Sequence, residues 1–224
     1  MTPNSPAPPA PGLRERRRRE LIRTIAVAAV DLFERNGFAA TTIDDIAAAA
    51  GISRTTFFRH CATKEAAVLV DDAGLEPELL AVAARVSSRH ALRDLERAWE
   101  EMTLVFDADP EGHDRFLRVR RLMLDNPPLL AAGLERDARL TGRLATALAG
   151  EAGLGALDAR AVAESFALGM RLAFDEWVRR IDAGDGAALR AAPPLGGIYR
   201  EVRAALSRAG RDSATGAAAG SVAP

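Results

Sequence analysis

The chain has 224 residues, 48% apolar and 27% charged, with a net charge of −1, which reads as a soluble globular protein long enough to bury a real core. No apolar run approaches the ~18–20 residues of a bilayer span, the first dozen residues hold no hydrophobic signal core, and the single cysteine, Cys61, excludes an intrachain disulfide. The expected compartment is therefore the reducing cytoplasm.

The charge is unevenly spread. Residues 1–70 carry 10 Arg and Lys against 7 Asp and Glu, and residues 71–224 carry 20 against 24, a basic front on an acidic body that suits a nucleic-acid binder and that chance also produces.

Ala, Leu, Arg and Glu dominate, and no alternating strand pattern appears, so the expected class is all-α. Residues 1–13 hold five prolines and read as a disordered arm. The run Arg14, Arg16, Arg17, Arg18, Arg19 fits either a solvated helix entry or an arm that tracks phosphates. Apolar steps of three and four through Leu21, Ile25, Ala28, Ala29, Leu32 and Phe33 predict a helix over about 16–36, stopped at Gly37. Thr41 and Thr42 offer an N-cap for a short helix through Ile43, Ile46, Ala47 and Ala50. Gly51-Ile52-Ser53 makes a tight turn, Ser53 caps a third helix over 54–60, and Thr63 caps a fourth that begins at Lys64.

Longer helices follow. The segment 63–86 is expected to bend near Gly74 and Pro77. Residues 91–108 place Leu92, Leu95, Trp99, Met102 and Phe106 on one side. Asp109-Pro110 starts the next helix as a cap followed by proline at the first helical position. Pro127-Pro128 restarts the path towards Ala149, and a glycine-rich loop spans 150–155. A helix over 158–183 carries Phe166, Met170, Phe174, Trp177 and Ile181. Prolines and glycines at 193–197 precede a short last helix at roughly 198–208, and the tail from Gly210 reads as flexible. The predicted layout is an arm (1–13), a helix-turn-helix domain (14–62), a helical body (63–209) and a tail (210–224).

Two short helices joined by a tight glycine turn suit a helix-turn-helix, whose second helix lies in the major groove. Thr42 and Ser53 organise backbone amides that can meet phosphate. Arg54, Thr55, Thr56 and Arg59 can reach bases or phosphates. A lysine at a helix start, as at position 64, opposes the dipole, and an anionic partner would explain it. Asp44 and Asp45 favour the start of their helix.

The run from Ala28 to Lys64, with Phe33, Gly37, Phe38, Thr42, Ile46, Ala47, Gly51, Ser53, Phe57, His60 and Lys64 in place, resembles the DNA-binding domain of the TetR (tetracycline-repressor-like) family. That resemblance implies a homodimeric transcriptional regulator, by default a repressor, on a roughly palindromic double-stranded operator. It implies phosphate contacts at Thr42 and Lys64 and DNA-facing positions at Ser53, Arg54, Thr55 and Arg59. His60 either touches the backbone or simply closes a helix. Phe58 stands where the family usually has Tyr, and the lost hydroxyl bond is worth about 1 kcal/mol. Cys61 stands where Phe is usual, and reads as a buried structural thiol or a redox sensor.

The resemblance also implies dimerisation through the last long helices, 158–183 and 198–208, and a small-molecule effector whose binding weakens DNA affinity. Candidate pocket walls are Trp99, Met102, Phe106, Leu122, Met123, Phe174 and Trp177, each of which ordinary core packing would also explain. Arg118, Arg120 and Arg121 read as solvated arginines or as receivers for an acidic ligand. An enzyme finds little support. His60, His90 and His113 lack metal-ligand spacing, no nucleophile elbow or P-loop is present, and Gly153-Leu154-Gly155 follows no strand. No cofactor or metal is expected. The remaining alternative is a ligand-independent architectural DNA binder.

Overall fold

The computed structural model describes residues 12–70, 75–150, 152–183 and 194–219, with side chains of the last segment described as far as 209. Among the described residues every regular element is a helix. The expected arm falls almost wholly on residues 1–11, outside the described residues, as do 220–224 of the expected tail. The chain divides into two compact units, one holding residues 1–74 and 118–133, the other 75–117 and 134–224.

The first unit is built on α1 (Leu13–Asn36), whose Ile22, Ile25, Ala26, Ala29, Val30, Leu32 and Phe33 form one buried stripe. Gly37 ends it at φ +83°, a left-handed conformation that favours glycine, and its N–H donates to the Phe33 carbonyl at 3.0 Å. Thr41, buried, donates its hydroxyl to the carbonyls of Gly37 (2.9 Å) and Leu32 (3.3 Å). It therefore closes α1 and leaves the cap of α2 (Ile43–Ala49) to Thr42.

The helices α3 (Arg54–Phe58) and α4 (Lys64–Val68) are capped by Ser53 and Thr63, whose side chains accept from the N–H groups of Thr56 and Ala66 at 3.1 Å each. α3 is shorter than the expected 54–60, since Arg59 and His60 lie in the turn that closes it. Ile46 and Phe57 are fully buried beside Phe33, Phe38, Cys61 and Val68. Burying a ring such as Phe57 contributes about 1.5–3 kcal/mol.

Val119, Met123 and Leu129 join that same core from the end of α7 (Pro110–Asp125) and the start of α8 (Pro127–Gly150). Asp109 caps α7, its Oδ1 accepting from the Gly112 N–H at 3.0 Å, with Pro110 at the first helical position.

The second unit contains α5 (Leu75–Ala83), α6 (Ala91–Asp107), α9 (Ala156–Asp182) and α10 (Leu195–Ala219), with the remainder of α7 and α8. Pro77 falls in the first turn of α5, where its missing N–H leaves no helical bond unmade. The last helix is longer than the short one expected at 198–208, running from Leu195 to Ala219. Gly196 and Gly197 lie in the first turn of α10, and an added Cβ on Gly196 would come within 2.7 Å of the Thr103 hydroxyl. Gly196, which read as part of a break, serves close packing, and Ala-rich sequence carries the helix on. Gly169 does the same on α9, where a Cβ would stand 3.0 Å from the Tyr199 ring. Asp107 Oδ1 accepts from the Leu195 N–H at 3.0 Å and so caps the start of α10.

Candidate nucleic-acid interface

α3 sits on α2 across the turn at Gly51, whose φ of +67° a side chain would strain. Phe57 points into the core, so the opposite side of α3 is presented to solvent. Ser53, Arg54, Thr55, Phe58 and Arg59 are all exposed there, and His60 is half-buried at its end. Phe58 leaves 46% of its surface open, an unusual exposure for a ring, and packs edge-on against Phe57 with centroids 5.8 Å apart.

Arg54 is held in place. Its Nη1 donates to Asp44 Oδ1 at 2.7 Å, and its guanidinium carbon lies 5.3 Å above the centre of the Phe58 ring. The sequence assigned Asp44 only to the helix dipole, and its pairing with Arg54 carried no local signal.

Thr42 is exposed and makes a reciprocal cap. Its hydroxyl accepts from the Asp45 N–H at 3.2 Å while Asp45 Oδ2 accepts from the Thr42 N–H at 2.9 Å. The Thr42 hydroxyl also donates to Asp45 Oδ2 at 2.7 Å, and this bond, with the one from the Thr42 N–H, holds the Asp45 carboxyl below the usual carboxylate range. The signal was present, because Thr42-x-x-Asp45 has capping-box spacing with Asp in place of Glu.

Lys64 has a partner other than an anion. Its Nζ donates to the carbonyls of Phe38 at 2.5 Å and Thr41 at 3.1 Å, and stands 4.1 Å from the centre of the Phe38 ring. A cation at the start of α4 is thus explained within the protein, where it ties α4 to the loop that delivers Thr42.

Cys61 is buried, and burial pushes its thiol up to about 11, against the low value a redox sensor needs.

Arg118, half-buried on α7, grips α1. Its Nε reaches Glu34 at 3.0 and 3.1 Å, and its Nη2 reaches both Asp31 and Glu34 at 2.5 Å. Those carboxylates raise its already high pKa further and occupy the guanidinium that the sequence left open to an acidic ligand. A cleft of about 380 Å³ lies beside this pair, lined by residues that include Phe33, Phe38 and Leu122.

The seven candidate wall residues are divided between the two units. Trp99, Met102, Phe106, Phe174 and Trp177 share the core of the second unit, with Trp99 to Phe174 at 5.8 Å and Phe106 to Trp177 at 5.7 Å between ring centres. Leu122 and Met123 belong to the first unit, Met123 buried against Gly133. Helical periodicity places all seven on apolar faces without saying which faces meet. Among the described residues no group of three or more His, Cys, Asp or Glu could hold a metal ion, and no helix is long and apolar enough to cross a membrane.

Comparison with known proteins agrees with this geometry. Residues 25–69 match the family of bacterial regulatory proteins designated tetR. The chain is 32% identical over 189 residues to the HTH-type transcriptional regulator TcmR of Streptomyces glaucescens, an alignment covering 81% of the chain and 84% of that relative. It is 36% identical over 117 residues, 52% of the chain and 58% of the relative, to MftR of Mycobacterium tuberculosis, a protein named for transcriptional regulation of mycofactocin biosynthesis.

Proposed function

The chain belongs to the tetR family of bacterial regulatory proteins and is a DNA-binding transcriptional regulator; from that premise we propose that it acts as a homodimeric repressor, released from a near-palindromic operator by a small-molecule effector. The observation that carries the DNA half of this reading is the outer face of α3. A five-residue helix anchored by fully buried Phe57 raises Arg54, Thr55, Phe58 and Arg59 into solvent together. Arg54 and Arg59 are the proposed base-reading groups, since a guanidinium matches the paired acceptors on the major-groove edge of guanine. Ser53, Thr55 and His60 flank them as phosphate or base contacts. The exposed start of α2 at Thr42 meets the backbone, and Lys64 supports that start from behind through the carbonyls of Phe38 and Thr41.

Dimerisation is assigned to α9 and α10. Two copies of α3 in a two-fold dimer lie about 34 Å apart, one duplex turn, which sets the half-site spacing. The effector is assigned to the aromatic core of the second unit, around Trp99, Met102, Phe106, Phe174 and Trp177. Operator and effector then prefer different conformations of one dimer, so each weakens the other.

The test is selection of bound fragments from genomic DNA by the purified full chain, with mass measured by ultracentrifugation. Enrichment of an inverted repeat with half-site centres one turn apart, bound by a dimer, supports the reading. A monomer that enriches nothing over competitor DNA overturns it.

A further inference from the structure

All seven aromatic side chains of the second unit lie in one connected cluster, and the cluster holds an unusual concentration of unmet hydrogen-bonding capacity. Trp99 Nε1, His113 Nε2, Trp177 Nε1 and the Tyr199 hydroxyl are all buried with no hydrogen-bond partner. The four residues are each at most 6% exposed. A folded protein leaves few such atoms, because an unmade bond forfeits the solvation it had in water. Here they belong to two ring pairs of the one cluster, His113 with Trp177 at 5.3 Å and Trp99 with Tyr199 at 6.5 Å between ring centres.

Resting on the effector-release reading above, we infer that this cluster receives a neutral, flat aromatic molecule bearing carbonyl or hydroxyl oxygens on its rings. The two indole N–H groups can only donate, so the guest must accept, and the imidazole and phenol can serve either way. The rings around them meet mostly edge to face, which suits a flat guest stacked or wedged among them. Charge argues against an ion. The acidic groups nearest Tyr199 are each matched, Glu96 with Arg203 at 2.5 Å and Glu100 with Arg200 at 4.0 Å. The proposed entry is past the more open rings. Phe106, Phe116 and Phe174 are the half-exposed members; Phe106 stands 4.4 Å from His113, and Phe116 stands 5.9 Å from Trp177. Turning these rings outward uncovers the unpartnered atoms.

The chain has two tryptophans, Trp99 and Trp177, so intrinsic fluorescence reports on this cluster alone. The experiment titrates the full-length protein with 9-fluorenone, with fluorene and with decanoate, by calorimetry and tryptophan quenching, and follows release of a labelled operator in parallel. Fluorenone and fluorene share a flat three-ring outline and differ by one carbonyl oxygen. Fluorenone is expected to bind saturably and at least tenfold more tightly than fluorene, with decanoate weaker than both. That ratio falls towards one in His113→Phe or in Trp177→Phe, each of which keeps a ring and removes a polar atom. Equal binding of fluorene, tightest binding of decanoate, or no fluorenone binding by protein that still binds DNA overturns the inference. Because the wild-type comparison decides it, a variant that fails to fold leaves it testable. Fluorenone that binds without releasing DNA supports the ligand class and overturns the effector-release reading instead.

Discussion

Asp44 Oδ1 on α2 accepts from Arg54 Nη1 on α3 at 2.7 Å, and both side chains are more than half exposed. A pair so open to water contributes little to stability, typically under about 1 kcal/mol. Its effect is on DNA binding, because the carboxylate fixes the direction of the guanidinium and repels phosphate close to it. Asp44→Asn is therefore expected to leave the melting temperature nearly unchanged and to raise affinity for any duplex. The salt dependence of binding steepens by roughly one counterion, as Arg54 becomes free to take a phosphate, and discrimination between sequences falls. Fluorescence anisotropy at several salt concentrations measures all three, and an unchanged slope with unchanged discrimination contradicts this role.

Thr42→Ala removes the reciprocal cap of α2 and is expected to destabilise the protein by about 1 kcal/mol. Since Asp45 is held below its usual range by bonds from Thr42, this contribution is present above the ordinary carboxylate pKa and is lost as pH falls through the folded value. The gap in stability between wild type and Thr42→Ala should thus narrow below about pH 4. Denaturant titrations at pH 7 and pH 3.5 test this, and a gap that widens in acid contradicts it.

Lys64→Met keeps most of the side-chain length and deletes the bonds to Phe38 and Thr41. With charged donors serving two carbonyls, the expected loss is about 1–3 kcal/mol of stability. If Lys64 works from behind the interface, the salt dependence of the residual DNA binding stays as in wild type. A slope reduced by about one would show instead that its ammonium meets a phosphate.

Cys61 should resist a thiol reagent at pH 8 in the native protein and yield one equivalent on unfolding. Its thiol pKa is raised by burial, so the neutral form stabilises the fold below the unfolded value and that contribution fades as pH rises towards about 11. Prompt labelling of native protein contradicts the buried assignment.

The helix-turn-helix was legible because its signals are local. Gly37, Gly51, Ser53 and Thr63 act on neighbours one to four positions away, and the observed helices start where those residues say. What the sequence could not yield are bonds between distant positions: Lys64 with the carbonyl of Phe38, Arg54 with Asp44, and Arg118 with Glu34, 84 residues away. Leu122 and Met123 show the same limit, since an apolar stripe fixes a face and leaves the partner open. Gly196 shows a second one, because a missing Cβ that permits Thr103 to approach reads identically to a loop breaker.

In the proposed function the outer face of α3 reads a duplex groove. The most direct test is competition binding at one fixed salt concentration, comparing the selected operator with a scrambled duplex, for wild type and for a variant carrying Arg54→Ala and Arg59→Ala. Wild type is expected to prefer the operator by about 10³ or more, and the double variant to lose most of that preference while remaining folded and dimeric. A folded double variant that keeps the full preference would contradict the account.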